Sequence, residues 1–305
     1  MTPVWWLWIP ITLAAAAAQT LRNATQRHLS TGLGTLGATL VRFLYGLPFA
    51  AVWLLIVGQV THDDLPAIDH AFVGWLVMGS LSQIAGTALL LRTMHEHNFT
   101  LGVAYSKSEV IQVAIFGFAF LGDPLGSTTI VAVLLGTLGV MLLTPVDRAH
   151  PVRTLVRGLT TRPALLGMAS GACFALSAVG YRGAALALDT SFVMAAAFTL
   201  VGAQLLQSVV MALYLTLAHP GVLTRVLRAW RTSLLAGFSG ATASAGWFTA
   251  MAIEPVAHVR TLALIELVFS YAISRRIFKE HFTRLQIVGM IVLVSALIIV
   301  TFGSH

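Results

Sequence analysis

Two segments, EVIQVAIFGFAFLGD at 109–123 and ELVFSYAISRRIFKE at 266–280, decide the fold of this chain. Each begins with a glutamate inside an apolar run and ends with an acidic residue, and the two lie 157 positions apart. Sliding the first half of the sequence by this distance lays it over the second half without gaps and carries Asp123 onto Glu280. Any two hydrophobic halves align loosely, but acids matched at the same helix positions favour a genuine internal duplication.

The composition indicates a chain that lies mostly in hydrocarbon. Of 305 residues, 57% are hydrophobic and only 10% are charged, whereas a soluble domain carries about 25% charged residues. The isoelectric point near 10.3 raises the possibility of nucleic-acid binding, but the basic residues lie in short loops and form no continuous patch, so that class is excluded. A single cysteine, Cys173, excludes an intrachain disulfide and a cysteine-rich metal site.

Apolar runs recur along the whole chain, each close to the roughly 20 residues that a helix needs to cross a bilayer. The breaks between them contain turn formers and charges, as in DDLP at 63–66 and HPG at 219–221. Backbone in lipid must satisfy its own hydrogen bonds, and the runs lack strand alternation, so an all-α polytopic membrane protein is predicted. The ten predicted transmembrane helices cover about 4–21, 34–57, 71–91, 99–121, 125–144, 164–187, 190–217, 232–252, 258–277 and 283–302.

The distribution of basic residues predicts the orientation. Fourteen of the eighteen lysines and arginines, Arg22 among them, fall in loops that follow odd-numbered spans. Because cytoplasmic loops are enriched in basic residues, these loops are predicted to be cytoplasmic and both termini to lie outside a bacterial-type inner membrane.

The duplication divides the chain into a first five-helix repeat at 1–144, a basic, proline-containing linker at 145–163, and a second five-helix repeat at 164–305. Five is an odd number of crossings, so the second repeat must run through the membrane in the opposite sense. Inverted repeats of this kind mark many secondary transporters, whose solute site lies near the bilayer midplane where the repeats meet.

The end of each half carries a family resemblance. The sequences GDPLG at 122–126 and KEHFT at 279–283 each place an acidic residue at the close of the fourth helix of the repeat, before a short turn into the fifth. In this the chain resembles the EamA-type branch of the drug/metabolite transporter superfamily, which more often has Glu where the first half has Asp123. The resemblance implies a central cavity lined by the first four helices of each half, with the fifth packed outside. It also implies transport of small organic solutes without ATP, and it favours export.

Polar residues inside spans are functional candidates by default, because burying charge in hydrocarbon is costly. Glu109 and Glu266 are the two acids placed deep in predicted spans, and Lys107 and, less deeply, Arg42 are the bases. The candidate substrate-binding or coupling residues are Glu109, Glu266, Lys107, Arg42, Tyr105, Tyr45, Gln83, Gln112, Gln204 and Trp247. Structural roles compete with this interpretation: the acids can pair with bases, Arg42 can extend to the interface, the glutamines can bond between helices, and the aromatic rings can simply pack.

These features predict a secondary transporter that works by alternating access, with protons as a candidate coupling ion and no cofactor. A balanced set of fixed charges suits a zwitterionic or neutral solute, such as an amino acid. The alternatives are an uncoupled facilitator or exchanger, and uptake of an organic anion recruited by Lys107 and Arg42. A membrane-embedded enzyme or assembly protein is a further class, but the sequence has no Walker, Gly-x-Ser-x-Gly or His-Glu-x-x-His motif, so no catalysis is expected. All ten histidines fall outside the span centres, so a histidine proton relay is not expected, and the oligomeric state stays open.

Overall fold

A computed structural model describes residues 6–96, 106, 108–143, 162–266 and 268–269, together with all of 288–299 except 290, 293 and 297. Within this part of the chain the secondary structure is helical and no strand occurs, which confirms the predicted all-α class. Helices are the expected form for chain segments this apolar, since each helix satisfies its backbone hydrogen bonds internally.

Each half contributes a series of helices. Those of the first half are α1 (Trp8–Leu44), α2 (Leu47–Thr61), α3 (His70–Glu96), α4 (Glu109–Leu121) and α5 (Ser127–Leu143). Those of the second half are α6 (Arg162–Leu186), α7 (Phe192–Ala218), the short α8 (Val222–Arg228), α9 (Trp230–Ile253) and the short α10 (Val256–Leu262). Further helical residues follow at 265–266, at 268–269 and in the described part of 288–299.

The first helix differs most from its predicted form. The segment expected to be a loop, 22–33, is helical, and α1 runs through it to a kink at Gly34, whose φ of 72° is readily adopted only by glycine. No proline interrupts 22–33, so nothing in the local sequence stops the helix. Arg22, which the loop assignment placed in the cytoplasm, therefore lies inside α1 and is only 4% exposed.

Three described helices are long and apolar enough to cross a membrane by length and composition, at 28–61, 70–93 and 192–218. Two shorter apolar helices lie at 109–121 and 127–139. The full set of ten spans, and the inverted orientation of the repeats, remain predictions from the sequence.

Large apolar side chains cover much of the outer surface. Leu55, Val60, Phe118, Leu134 and Leu217 are each more than half exposed. Exposed apolar surface on this scale is unfavourable in water but suits contact with acyl chains, which is consistent with a membrane location.

The two halves pack against each other in a reciprocal way. The most extensive helix contacts join α3 with α6 and α1 with α9, so each pair contains one helix from each half. The shift of 157 residues that overlays the halves also carries the end of α2, Thr61, onto the end of α7, Ala218. It carries the end of α3, Glu96, onto the end of α9, Ile253. The first helix of each half thus contacts the third long helix of the other half, α1 with α9 and α6 with α3.

Small residues make this close packing possible. A Cβ added at Gly180 of α6 would lie 2.8 Å from the Cα of Gly79 on α3, and one added at Gly246 of α9 would lie 2.7 Å from the Cβ of Ala15 on α1. Small residues let helix backbones approach closely enough for van der Waals contact to hold membrane helices together. The interface between the halves therefore depends on residues with little or no side chain.

Candidate functional site

A polar cavity lies where the two halves meet. It contains about 570 Å³ of unfilled space when space open to the outside is counted. Its polar and aromatic-polar lining comes from both halves and consists of Gln19, Arg22, Asn23, Arg42, Gln83, Ser106, Glu109, Tyr181, Ser244, Trp247, Arg260 and Glu266.

Glu266 is the most deeply buried charged group of this lining, with 1% of its surface exposed. Its carboxylate accepts a hydrogen bond of 2.8 Å from Nε2 of Gln19 and one of 2.9 Å from Nδ2 of Asn23. Gln19 and Asn23 are four residues apart on α1 and so share a helix face. The carboxylate of the second half is thereby tied to the first helix of the first half.

Gln19 extends this connection to α9. Its Oε1 accepts a 2.9 Å hydrogen bond from the indole Nε1 of Trp247, while its amide nitrogen is bound to Glu266. Because both ends of the amide are bonded, its orientation is fixed. Trp247 is 3% exposed, so a buried indole N–H has found the partner it requires.

Glu109 at the start of α4 pairs with Arg260 on α10. Nε of Arg260 lies 3.2 Å from Oε1 of Glu109, with the two side chains 12% and 9% exposed. The atoms are close enough for an ion pair but are not aligned as a hydrogen bond. The guanidinium of Arg260 also lies over the ring of Trp247, 5.3 Å from its centroid, which adds a cation–π contact.

Two further arginines, Arg22 and Arg42, line the cavity, and the charge of Glu266 acts on Arg22. Nε and Nη2 of Arg22 donate to Oδ1 of Asn23, at 3.3 and 2.8 Å, and Nη1 of Arg42 donates to Oγ1 of Thr87 at 3.1 Å. Each arginine is 4% exposed. Within the described part of the chain, no carboxylate lies within 4.0 Å of either guanidinium.

A neutral network also borders the cavity. Nε2 of Gln207 donates to the hydroxyl of Tyr181 at 2.8 Å and to Oε1 of Gln83 at 2.9 Å, and Tyr181 in turn donates to Gln83 at 3.1 Å. The ring of Tyr181 packs on Phe248 with 4.3 Å between centroids. These contacts connect α3, α6 and α7 behind the cavity wall.

A second polar cluster lies outside the cavity lining and consists of Asp123, Thr129, Arg182, Glu254 and His258. The guanidinium of Arg182 is 3.3 Å from Oδ1 of Asp123 and donates to the backbone oxygens of Met251 and Glu254. Nδ1 of His258 is 2.6 Å from Oε1 of Glu254, and its Nε2 is 2.8 Å from Oγ1 of Thr129. The ends of α6 and α9, the start of α10 and the α4–α5 turn are joined here.

The structure brings five of the candidate residues to the cavity: Glu109, Glu266, Arg42, Gln83 and Trp247. Three others lie elsewhere. The hydroxyl of Tyr45 donates to backbone oxygens of Val226 and Leu227, at 3.1 and 3.3 Å, so this residue anchors α8. Gln204 packs against the break between α1 and α2 at Gly46.

The third residue outside the cavity lining is Gln112, whose buried Oε1 has no hydrogen-bond partner among the described residues. Lys107 and Tyr105 lie outside the described residues.

Sequence reasoning missed several cavity residues, namely Gln19, Arg22, Asn23, Tyr181 and Arg260. Arg22 and Asn23 were hidden because the first span was ended at residue 21, whereas Gln19 lay inside that span and was not singled out. Gln19 and Asn23 are spaced by four residues and so share one helix face. Arg260 was assigned to the region of a loop, yet its side chain is buried beside Glu109. Arg22 and Arg260 thus join Arg42 among the bases of the cavity lining.

An all-helical chain with apolar outer surface and a charged cavity between two halves has the features of a polytopic membrane transporter. The model of the EamA-like transporter family matches residues 6–144, which supports the membership of the EamA branch of the drug/metabolite transporter superfamily that the sequence resemblance predicted. Members of this family are multi-pass membrane proteins and are generally not enzymes.

The fold also has a solved counterpart. A crystal structure superposes with a TM-score of 0.66, covering 96% of this chain and 98% of the other, at 14% sequence identity. A likeness at this identity concerns the fold alone. No curated protein sequence matches the chain significantly.

Proposed function

We propose that this chain is a secondary transporter of a bacterial-type inner membrane that exports a small organic metabolite by alternating access around the cavity. The observation that carries the proposal is the cavity itself, whose lining joins Gln19, Asn23 and Glu109 of the first half to Trp247 and Glu266 of the second. A solute held there touches both halves, so rocking of one half against the other changes the side from which it is reached.

The reciprocal packing of the halves supports the ten-span inverted repeat on which this mechanism depends. The α1–α9 and α3–α6 contacts exchange with each other when the halves are exchanged, as a pseudo-twofold axis in the membrane plane requires. The helix ends that coincide after the shift of 157 residues are further support for two equivalent repeats.

Glu266 is the favoured coupling group, because its contacts depend on its protonation state. As a carboxylate it accepts from the amide nitrogens of Gln19 and Asn23, both of which are donors. Protonation turns one oxygen into a donor that faces another donor, and a buried donor left unpaired is costly. A proton on Glu266 therefore weakens its hold on α1 and favours separation of the halves at this point.

The charges of the lining suit a solute with both an acidic and a basic end, and an amino acid or related zwitterion is the favoured class. Glu109 and Glu266 can receive an ammonium group, and the neutral network at Gln83 and Tyr181 can accept or donate hydrogen bonds to uncharged parts of the solute. No enzymatic step and no cofactor is part of the proposal.

The test is solute counterflow into proteoliposomes loaded with unlabelled amino acids and small organic acids, followed by the same assay with an imposed pH gradient. We expect uptake of at least one labelled solute, and accumulation only when the gradient is present. Counterflow that is unaffected by the gradient would favour the alternative of an uncoupled exchanger. Absence of protein-dependent movement of every solute in the set contradicts the proposal.

A further inference from the structure

Two buried guanidinium groups stand out because neither has a carboxylate within 4.0 Å among the described residues, and the nearby charge of Glu266 acts on Arg22 but must serve both. Arg22 on α1 and Arg42 near the end of the same helix are each 4% exposed, and each lines both the central cavity and a smaller adjoining one. Removing a cation from water is costly unless an anion or a full set of acceptors replaces the water. Their neighbours supply only neutral oxygens, from Asn23 and Thr87.

Both groups keep hydrogen-bonding capacity for a ligand. A guanidinium has five N–H donors in a planar fork, and Nη1 of Arg22 is buried with no hydrogen-bond partner. One described hydrogen bond, to Thr87, engages Arg42. An oxyanion with two oxygens in one plane matches the fork of such a group and forms short, charge-assisted bonds with it.

The two arginines lie side by side against Gly240 of α9. A Cβ added at Gly240 would lie 3.4 Å from Cδ of Arg22 and 3.6 Å from Cγ of Arg42. The side chains of both residues therefore flank the same point on α9, and their positive charges are close enough to repel each other. An anion between them would replace that repulsion with attraction.

We infer that Arg22 and Arg42 bind a carboxylate group of the transported solute, an inference that rests on the proposed transport function and specifies its substrate class. The described cavity lining contains three arginines, Arg22, Arg42 and Arg260, and two acids, Glu109 and Glu266. It therefore has one positive charge in excess. A monocarboxylate balances this charge, while Glu109 and Arg260 form an ion pair with each other. The carboxylate end of a zwitterion can bind the same two arginines, but a zwitterion has no net charge and leaves the excess in place.

Thermal unfolding of the purified protein in detergent tests the inference with matched probe pairs. Acetate is compared with acetamide, benzoate with benzamide, and L-phenylalanine with L-phenylalaninamide, at constant ionic strength set with chloride. Binding to the folded state raises the apparent melting temperature. We expect the carboxylate member of at least one pair to stabilise the wild type and its amide not to do so.

Variants then assign the effect to the two arginines. R22Q and R42Q should each weaken the response to the carboxylate about tenfold or more, the loss expected for one charge-assisted contact. R231Q removes an exposed arginine of α9 that is outside the cavity lining and should leave the response unchanged. R42K keeps a buried cation but not the fork, so it should retain folding and lose part of the response.

The inference would be overturned if no carboxylate raised the melting temperature, or if the amides raised it as much as the carboxylates. It would also be overturned if the response to the carboxylate survived in both R22Q and R42Q. If R42Q does not fold, the wild-type comparison and R42K still decide. The outcome is separable from the proposed function. If carboxylates bind in an arginine-dependent way but no solute is transported in proteoliposomes, only the transport proposal is contradicted. If transport is as fast in R42Q as in the wild type, only the inference about the arginines is contradicted.

Discussion

The side-chain amide of Asn23 donates a 2.9 Å hydrogen bond to Oε1 of Glu266, across 243 positions of sequence. With the parallel bond from Gln19, this contact ties α1 of the first half to the segment after α10 in the second. A contact between the halves that changes with protonation is where a proton gradient can act on the relative position of the repeats. Other contacts between segments far apart in sequence hold the helices together in the same way.

Replacing Glu266 or Glu109 with glutamine removes the carboxylate charge at nearly constant size, so the fold should persist, although E109Q loses its ion pair with Arg260 and therefore part of its stability. We expect E266Q and E109Q to abolish accumulation driven by a pH gradient. Uptake into proteoliposomes with and without the gradient measures this, and D64N, at an exposed loop aspartate, is the control. Wild-type gradient-driven rates in both variants would show that neither glutamate couples transport to protons.

The Glu109–Arg260 ion pair should be energetically coupled. Removing one partner of a buried pair costs about 3–5 kcal/mol, because the other charge stays buried, whereas replacing both costs far less. E109Q and R260M should therefore each lower the apparent melting temperature in detergent more than the E109Q/R260M double variant does. Additive losses would mean that the two side chains, 3.2 Å apart here, do not interact energetically.

Close approach of α9 to the break between α1 and α2 should make Gly237 sensitive to the smallest substitution. A Cβ there would lie 2.3 Å from the backbone oxygen of Tyr45, so G237A should cost about 1–3 kcal/mol through overpacking. G74A on α3 is the matched control, because its added Cβ meets nothing within 4 Å. Equal melting temperatures for the two variants would contradict the packing described.

Arg182 should matter for stability although it is outside the cavity lining. It holds Asp123 of the α4–α5 turn and backbone oxygens at the end of α9. R182Q leaves the Asp123 carboxylate, with a side chain 10% exposed, without its ion partner, and we expect a clear fall in apparent melting temperature. Adding D123N should restore part of the loss, since it removes the unpaired charge. No rescue would indicate that the backbone contacts of Arg182 dominate.

The predicted orientation can be tested with single cysteines in a C173A background. A cysteine at Asp64 should react with a membrane-impermeant maleimide from outside, because it follows an even-numbered predicted span. A cysteine at Arg231, before the predicted eighth span, should react only after the membrane is opened. Both positions are exposed, so reactivity reports the side of the membrane. The reverse pattern would invert the topology.

Much of the architecture could be predicted because it depends on local composition. Continuous apolar runs predicted helices, and α6, α7 and α9 begin and end within about two residues of the expected bounds. The helix α3 begins where expected but continues beyond the predicted end at residue 91, to Glu96. The scarcity of intramembrane acids correctly led to Glu109 and Glu266 as cavity residues.

The site was only partly predictable, and the reasons are physical. The first span was ended too early, since a polar stretch was taken for a loop, and this hid Arg22 and Asn23. Tyr45 was grouped with Arg42 because they share a face of an unbroken helix, but the chain breaks after Leu44 and turns the Tyr45 hydroxyl towards α8. Local periodicity describes a helix accurately only as far as the helix continues.

The sequence by itself determined that the chain is helical, membrane-associated and built with acids at matching positions of two halves, because hydrophobicity and charge act through each residue's own preference for lipid or water. The tertiary structure alone decided which polar side chains meet. Whether Glu109 pairs with Arg260, or Glu266 with Asn23 and Gln19, depends on how helices from opposite halves rotate and pack. Since glycines and alanines set those distances, the pairing is a property of the assembled interface and not of any single segment.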